Sequence, residues 1–253
     1  MPKHSYGYLP DTKDDRDFLF QTVRPMVAPL PASVDLRHIC SPVRDQGQLG
    51  SCTGFAIAVG LREFWEIKLG ASLVPMAPLF LYYEERVLEH SVTKDSGAQP
   101  RDGMKVLLKT GCSPEKDDPY RVSAFKKKPI PLALKDAANF KIAAYHRLTT
   151  LNDIQTCLAG GSGVVLGFVV YESFESQSVA KTGRMPMPAN GEATVGGHAV
   201  FACGYQTNPG TAGGGYLIIK NSWGTAWGDH GYFYMPFAYV TPKLVTDVWT
   251  AVV

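Results

Sequence analysis

The chain has 253 residues, 45% of them apolar and 19% charged, with a formal net charge of +2. That length holds one large domain or two intimate lobes, and the composition is that of an ordinary globular chain. The longest basic block is Lys126–Lys128, read as a solvated loop, so there is no electrostatic footing for nucleic acid, and no apolar run approaches the roughly 18–20 residues of a membrane span.

Residues 1–31 are polar, then rich in proline, and read as a tether with little regular structure. They lack the apolar core of a signal peptide, so the expected location is cytoplasmic, or outside by another export route. A glycine-rich turn, D-Q-G-Q-L-G-S, follows at 45–51, and then a helix from Cys52 to a stop at Gly70. Its first half is apolar on most faces and its second half is amphipathic near Arg62, Glu63, Glu66 and Lys68. A second helix starts near Pro78, a third covers M-K-V-L-L-K before Gly111, and a fourth covers N-D-I-Q-T-C-L before Gly160. The texture then changes to short β-rich runs: G-V-V-L-G-F-V-V, H-A-V-F-A-C-G-Y, Y-L-I-I-K-N, G-Y-F-Y-M-P and V-T-D-V-W-T-A-V-V. The glycine run at 210–215 reads as a hairpin loop rather than a phosphate loop. Helices first and strands later predict an α+β chain of two lobes with a cleft between them.

Five cysteines cannot pair fully, and no C-x-x-C occurs, so a reduced protein without a zinc ribbon is expected. Cys52 stands apart because it sits where the glycine-rich turn becomes a helix. A thiol there meets free backbone N–H groups and the positive end of the helix dipole, which favour thiolate; Ser51 or Gly50 would cap the helix. Among six histidines, His198 alone follows a glycine pair, Gly196-Gly197, and opens an apolar strand. Its ring is expected to face open space. Asn221 ends another apolar strand, with Trp223 beside it. An Asn oxygen can accept an imidazole N–H and fix the ring, and an indole can shield that bond. Cysteine, then histidine and asparagine ~130–150 residues or more downstream, is the order of papain-like enzymes.

The segments S-P-V-R-D-Q-G-Q-L-G-S-C-T-G-F-A, G-G-H-A-V-F-A-C-G-Y and Y-L-I-I-K-N-S-W-G-T-A-W-G-D-H-G-Y-F resemble the signature blocks of the papain/cathepsin cysteine peptidases, over roughly residues 32–253. The resemblance implies a two-lobe fold, helical over about 32–140 and β-barrel-like over about 141–253, with residues 1–31 similar to a pro-segment. It implies Cys52 as nucleophile, His198 as its ion-pair partner, Asn221 as the residue orienting that ring and Trp223 as its shield. Gln46 resembles the glutamine that completes the oxyanion hole with the Cys52 N–H. Two positions depart from the family pattern: Leu49 stands where a disulfide cysteine is usual, and Thr53 where a tryptophan is. This resembles a disulfide-poor bacterial or archaeal branch.

The implied reaction is peptide-bond hydrolysis through a thioester, with no metal or organic cofactor, by an endopeptidase expected to be monomeric. The main specificity pocket would be walled by the backbone near Ser96 and Gly97, with Val165, Gly197 and Ala199 opposite, and would prefer an apolar side chain two residues before the cut. Tyr6, Tyr8, Phe18, Leu19 and Phe20 could occupy substrate pockets if the N-terminal segment inhibits its own enzyme; the other reading of that segment is a packed or disordered tail. Two functional alternatives use the same fold: an inactive peptide-binding relative, and an amidase or acyl transferase. Retention of Cys52, His198, Asn221 and Gln46 argues against the first, and Asn221 in place of an aspartate against the second.

Overall fold

The computed structural model describes residues 4–22 and 29–253; Pro25 and the rest of 23–28 lie outside the described residues. After the short strand β1 (Ser33–Asp35) the chain enters the glycine-rich turn. Gly47 adopts a left-handed φ of +61° there, and its N–H donates to the Asp45 carboxylate at 2.8 Å, a side-chain-closed turn that brings the chain to the start of a helix. The helical run opens with an α-turn at Cys52–Gly54, widens into a π-helical segment at Phe55–Arg62 and closes as α-helix at Glu63–Lys68. Cys52 through Trp65 are all buried, as the all-round apolar sequence requires. Where this run crosses the sheet, Gly60 makes room for Phe201: a β-carbon there would lie 2.6 Å from that side chain.

Pro78–Leu88, Pro100–Lys109 and Pro131–Ala137 each begin on a proline, which lacks only an N–H that the first turn leaves unbonded anyway. Leu151–Ala159 starts with a capping box, Thr150 and Asp153 each accepting the other's backbone N–H. The Pro131–Ala137 helix and the six-residue Gln177–Thr182 helix carry too short a periodic pattern to be read from sequence.

The remaining strands are β2 (Ala144–Arg147), β3 (Val164–Tyr171), β4 (Thr194–Thr207), β5 (Gly215–Lys220), β6 (Tyr232–Pro236) and β7 (Val245–Val252). They form an antiparallel sheet in the order β2-β7-β3-β4-β5-β6, with β1 paired to the far end of β4. The β4–β5 connection is the hairpin loop expected around 210–215. One apolar core, with Phe168, Phe174, Phe233 and Trp227, lies on one face of the sheet; a second, with Ile57, Phe64, Phe201 and Trp249, joins the Cys52 helix to the other face. The α+β, two-lobe architecture expected from the resemblance is therefore the one observed, although β1 crosses into the sheet from the helical half of the sequence.

The two halves are tied where the cleft lies. The Gln46 N–H donates to the Ser222 carbonyl at 2.9 Å, and the Gly224 N–H to the Arg44 carbonyl at 3.3 Å. This pairing fixes the turn before Cys52 against the segment that leaves β5.

Candidate active site

Cys52 is the first residue of its helix and is fully buried. Ser51 occupies the capping position, but its hydroxyl bonds the Tyr120 hydroxyl at 2.7 Å and caps nothing. His198 sits on β4, and its Nε2 lies 2.8 Å from Oδ1 of Asn221, the residue that follows β5. The Trp223 ring stacks on the imidazole, with centroids 4.8 Å apart and planes 21° apart. His198 Nδ1 is buried with no hydrogen-bond partner. Gln46 Oε1 accepts the Ser222 hydroxyl at 2.6 Å, which leaves its Nε2 to donate to the Leu49 carbonyl at 2.8 Å and to the Ser5 carbonyl at 3.2 Å.

That last bond belongs to the N-terminal segment, which runs through the cleft. His4 stacks on Trp223 at 3.8 Å with the planes 4° apart, and its Nδ1 lies 3.0 Å from Glu175. The Tyr6 hydroxyl bonds the same carboxylate, and the Tyr6 ring stands edge-on to His198 at 5.9 Å. The Ala98 N–H donates to the Gly7 carbonyl at 2.8 Å, the Tyr8 N–H to the Gly197 carbonyl at 3.1 Å, and the Leu9 N–H to the Ala98 carbonyl at 3.0 Å. Gly7 is obligatory here, since a β-carbon on it would lie 1.7 Å from the Gly50 carbonyl oxygen. His198 thus does not face open space: it is wholly buried among Trp223, Phe168 and the Tyr6 ring of the segment.

Burial sets the charge state of the pair. The Cys52 thiol is pushed up to about 12 by desolvation, against which the backbone N–H groups of Ala199, Gly7 and Thr53 work, and the His198 imidazole is pushed down to about 4, again by desolvation. Near pH 7 both groups are neutral with the segment in place. The helix terminus favours thiolate, but in this state desolvation outweighs it.

The residues expected to wall a specificity pocket are distributed unevenly. The Tyr8 ring lies between Gly167 and Gly197, whose missing β-carbons would come within 2.2 and 2.6 Å of it. Ala199 is directly across from Gly167 in the sheet. Val165, two residues earlier on β3, is fully buried in the same apolar cluster as Tyr8, and Gly167 borders the ring. Near Ser96 and Gly97, expected to wall the pocket, it is Ala98, one position on, that hydrogen-bonds the segment, while Gly97 abuts Gly7 and the Ser96 hydroxyl turns away to Ser91 and the Gly97 carbonyl. The pocket floor is polar: the Tyr8 hydroxyl bonds Thr246 and Asp247. Ala98, Gly167, Thr246, Asp247 and Glu175 were not identified from sequence. Only the aspartate inside the apolar run V-T-D-V-W offered a signal. Of the apolar tail residues, Tyr6 and Tyr8 enter the cleft, Phe18 and Leu19 are exposed, and Phe20 is buried in the core of the β-rich lobe.

The two departures have local explanations. Leu49 packs against Leu79, Tyr82 and Ala98, an apolar contact in place of a cross-link. The Thr53 hydroxyl donates to the buried Glu85 carboxyl at 2.6 Å.

The family profile described as "Papain family cysteine protease" matches residues 30–241. This chain belongs to the papain family of cysteine proteases. It is 38% identical to an uncharacterized peptidase C1-like protein of Acanthamoeba polyphaga mimivirus, over 97% of this chain and 86% of that one. It is 31% identical to cysteine proteinase 3 of Entamoeba histolytica, over 83% of this chain and 64% of the relative. Among solved structures, xylellain, a cysteine protease from Xylella fastidiosa, superposes with a TM-score of 0.88 at 37% identity, covering 99% of this chain and 97% of that one. The activity class of this papain-like enzyme is accordingly cysteine peptidase.

Proposed function

We propose that this chain is a cysteine endopeptidase held latent by its own N-terminal segment. Cys52 is the nucleophile, His198 its proton partner, Asn221 the residue that orients the imidazole, and the Gln46 amide with the Cys52 N–H the oxyanion hole. The observation that carries this reading is the hydrogen bond from Gln46 Nε2 to the Ser5 carbonyl: the donor a tetrahedral oxyanion would need is occupied by the tail.

The tail lies in the direction that resists cleavage. From N- to C-terminus it passes Trp223 with His4, Gln46 with Ser5, and the Gly167–Gly197 pocket with Tyr8, pairing in parallel with Ala98. A substrate that puts the side chain two residues before the cut into that pocket must run from the pocket toward Gln46, the opposite way. Once the tail withdraws, water reaches Cys52 and His198, the desolvation that keeps them neutral is relieved, and the helix terminus favours the thiolate–imidazolium pair. The thiolate attacks the peptide carbonyl, Gln46 and the Cys52 N–H hold the oxyanion, and His198 gives its proton to the leaving amine. His198 then takes a proton from water as that water opens the thioester.

The test is hydrolysis of a peptide library by the full chain and by Gly7→Val, whose side chain cannot fit against Gly50, each with and without an added amine. Hydrolysis by Gly7→Val, with the full chain far slower, is expected. Products dominated by amine adducts would favour the acyl transferase, and no product at all the peptide-binding relative.

A further inference from the structure

Tyr8 shows what the specificity pocket accepts. Its ring is clasped between two glycines and is 6% exposed, a slot for a flat ring rather than a branched aliphatic group. At the bottom the phenol donates to Asp247 Oδ2 and lies within hydrogen-bond reach of the Thr246 hydroxyl. Asp247 is buried and its two oxygens are employed differently. Oδ1 is held by Arg147 Nη2 at 2.7 Å. Oδ2 accepts the Tyr8 hydroxyl, the Asp11 N–H at 2.9 Å and the Thr246 hydroxyl at 3.1 Å. The first two of those donors belong to the tail, so its departure leaves Oδ2 aimed into the pocket with Thr246 as its remaining donor here.

Building on the latent-peptidase reading, we infer that the released enzyme selects tyrosine two residues before the cut, with Thr246 and Asp247 as the specificity-determining residues that read the phenolic hydroxyl. An uncharged donor is favoured over lysine or arginine because the floor already has its cation: Arg147 stands behind Asp247 and also donates to the Thr246 carbonyl at 2.9 Å. A second positive charge would be repelled by it. Phenylalanine fills the slot but leaves a buried carboxylate oxygen one donor short, a loss worth about ten- to a hundredfold for a bond to a charged acceptor.

The experiment compares kcat/KM of the full-length Gly7→Val chain on peptides identical except for Tyr, Phe, Leu or Arg two residues before the cut, with Cys52 labelling by an epoxysuccinyl inhibitor measured on the same preparation. A Tyr-to-Phe ratio of about ten or more is expected, falling toward one in Gly7→Val/Asp247→Asn and Gly7→Val/Thr246→Val. Phe, Leu or Arg at or above Tyr would overturn the inference and leave the peptidase reading standing. Failure to cut any peptide would overturn the peptidase reading and the inference with it. A second measurement needs no substrate: Tyr8→Phe in the otherwise unaltered chain removes the same bond from the latch, and Cys52 should label about tenfold faster. An unchanged rate would count against a floor that reads the hydroxyl.

Discussion

The N-terminal segment holds to the rest of the chain in two ways. Residues 4–9 press into the cleft through backbone hydrogen bonds, ring contacts and a glycine that fits only because it has no side chain. Residues 11–17 hold through charge. Asp11 accepts from the Trp249 indole at 2.8 Å and the Arg101 N–H at 3.0 Å, Asp17 pairs with Arg101 at 3.0 Å and Arg147 at 3.2 Å, and Arg147 also reaches Asp247. The first region fits the cleft by shape, with one ion pair, His4 to Glu175, at its start. The second gathers three carboxylates around two guanidinium groups, so its strength depends on protons and salt. On the latent-enzyme reading, blocking and release are therefore controlled in different places.

The sharpest way to separate the two regions is through Gln46, which touches both tail and reaction centre. In the released Gly7→Val background, Gln46→Ala should cut kcat by about 10²–10³, while in the full chain it removes one of several tail contacts; steady-state hydrolysis of a Tyr-containing peptide reads both. Next in size, Gly7→Val alone should raise the rate of Cys52 labelling by about a hundredfold or more, because the clash with Gly50 involves backbone on both sides. Breaking the other region should do less. Arg147→Ala strips the shared cation from Asp11, Asp17 and Asp247 and should raise labelling about tenfold, with a lower melting temperature, since unpaired buried carboxylates are costly. Combining it with Gly7→Val should add little to labelling if both act only through tail release.

Proton linkage gives a smaller effect with a definite sign. Desolvation and the neighbouring Asp247 raise Asp11 to about 7 from its ordinary 3.8. A carboxyl raised in the docked state takes up a proton on docking, so docking gains as pH falls from about 7 toward 4 and is weakest above 7. Glu175, held below its usual range by His4 and Tyr6 despite its burial, works the other way only once pH falls into the ordinary carboxylate range. Labelling of the full chain, divided by that of Gly7→Val to remove thiol ionisation, should therefore rise several-fold between pH 5.5 and 8, and the rise should vanish in Asp11→Asn. A ratio that increases on acidification would contradict the assignment. Smallest of all, added salt should loosen the full chain by a few-fold and leave Gly7→Val unaffected, since the partly exposed ion pairs are screened.

Much of this was legible in the chain because the relevant residues announce themselves by context. Cys52 follows a glycine-rich turn, His198 follows two glycines, and Asn221 ends an apolar strand, so local sequence and the candidate site coincide. The fold class was legible for the same reason, as helical periods give way to β-rich runs. What could not be read depends on distant parts meeting. Asp247 looks like a misplaced charge in a core strand until β7 is laid beside β3, opposite Gly167. Nothing in H-S-Y-G-Y gives the direction in which that segment crosses the cleft. Val165 and Gly167 share a face of β3, and that alternation alone does not tell that Gly167 borders the Tyr8 ring. Ser51 was a reasonable cap until Tyr120, far along the chain, claimed its hydroxyl.

The most direct test of the account is the rate at which an epoxysuccinyl inhibitor modifies Cys52, followed by mass spectrometry in the full chain and in Gly7→Val at pH 7. A single adduct on Cys52, slow in the full chain and about a hundredfold or more faster in the variant, is the predicted result. Equal rates in the two would mean that the segment in the cleft is not a latch, and no adduct in either would mean that Cys52 is not the nucleophile.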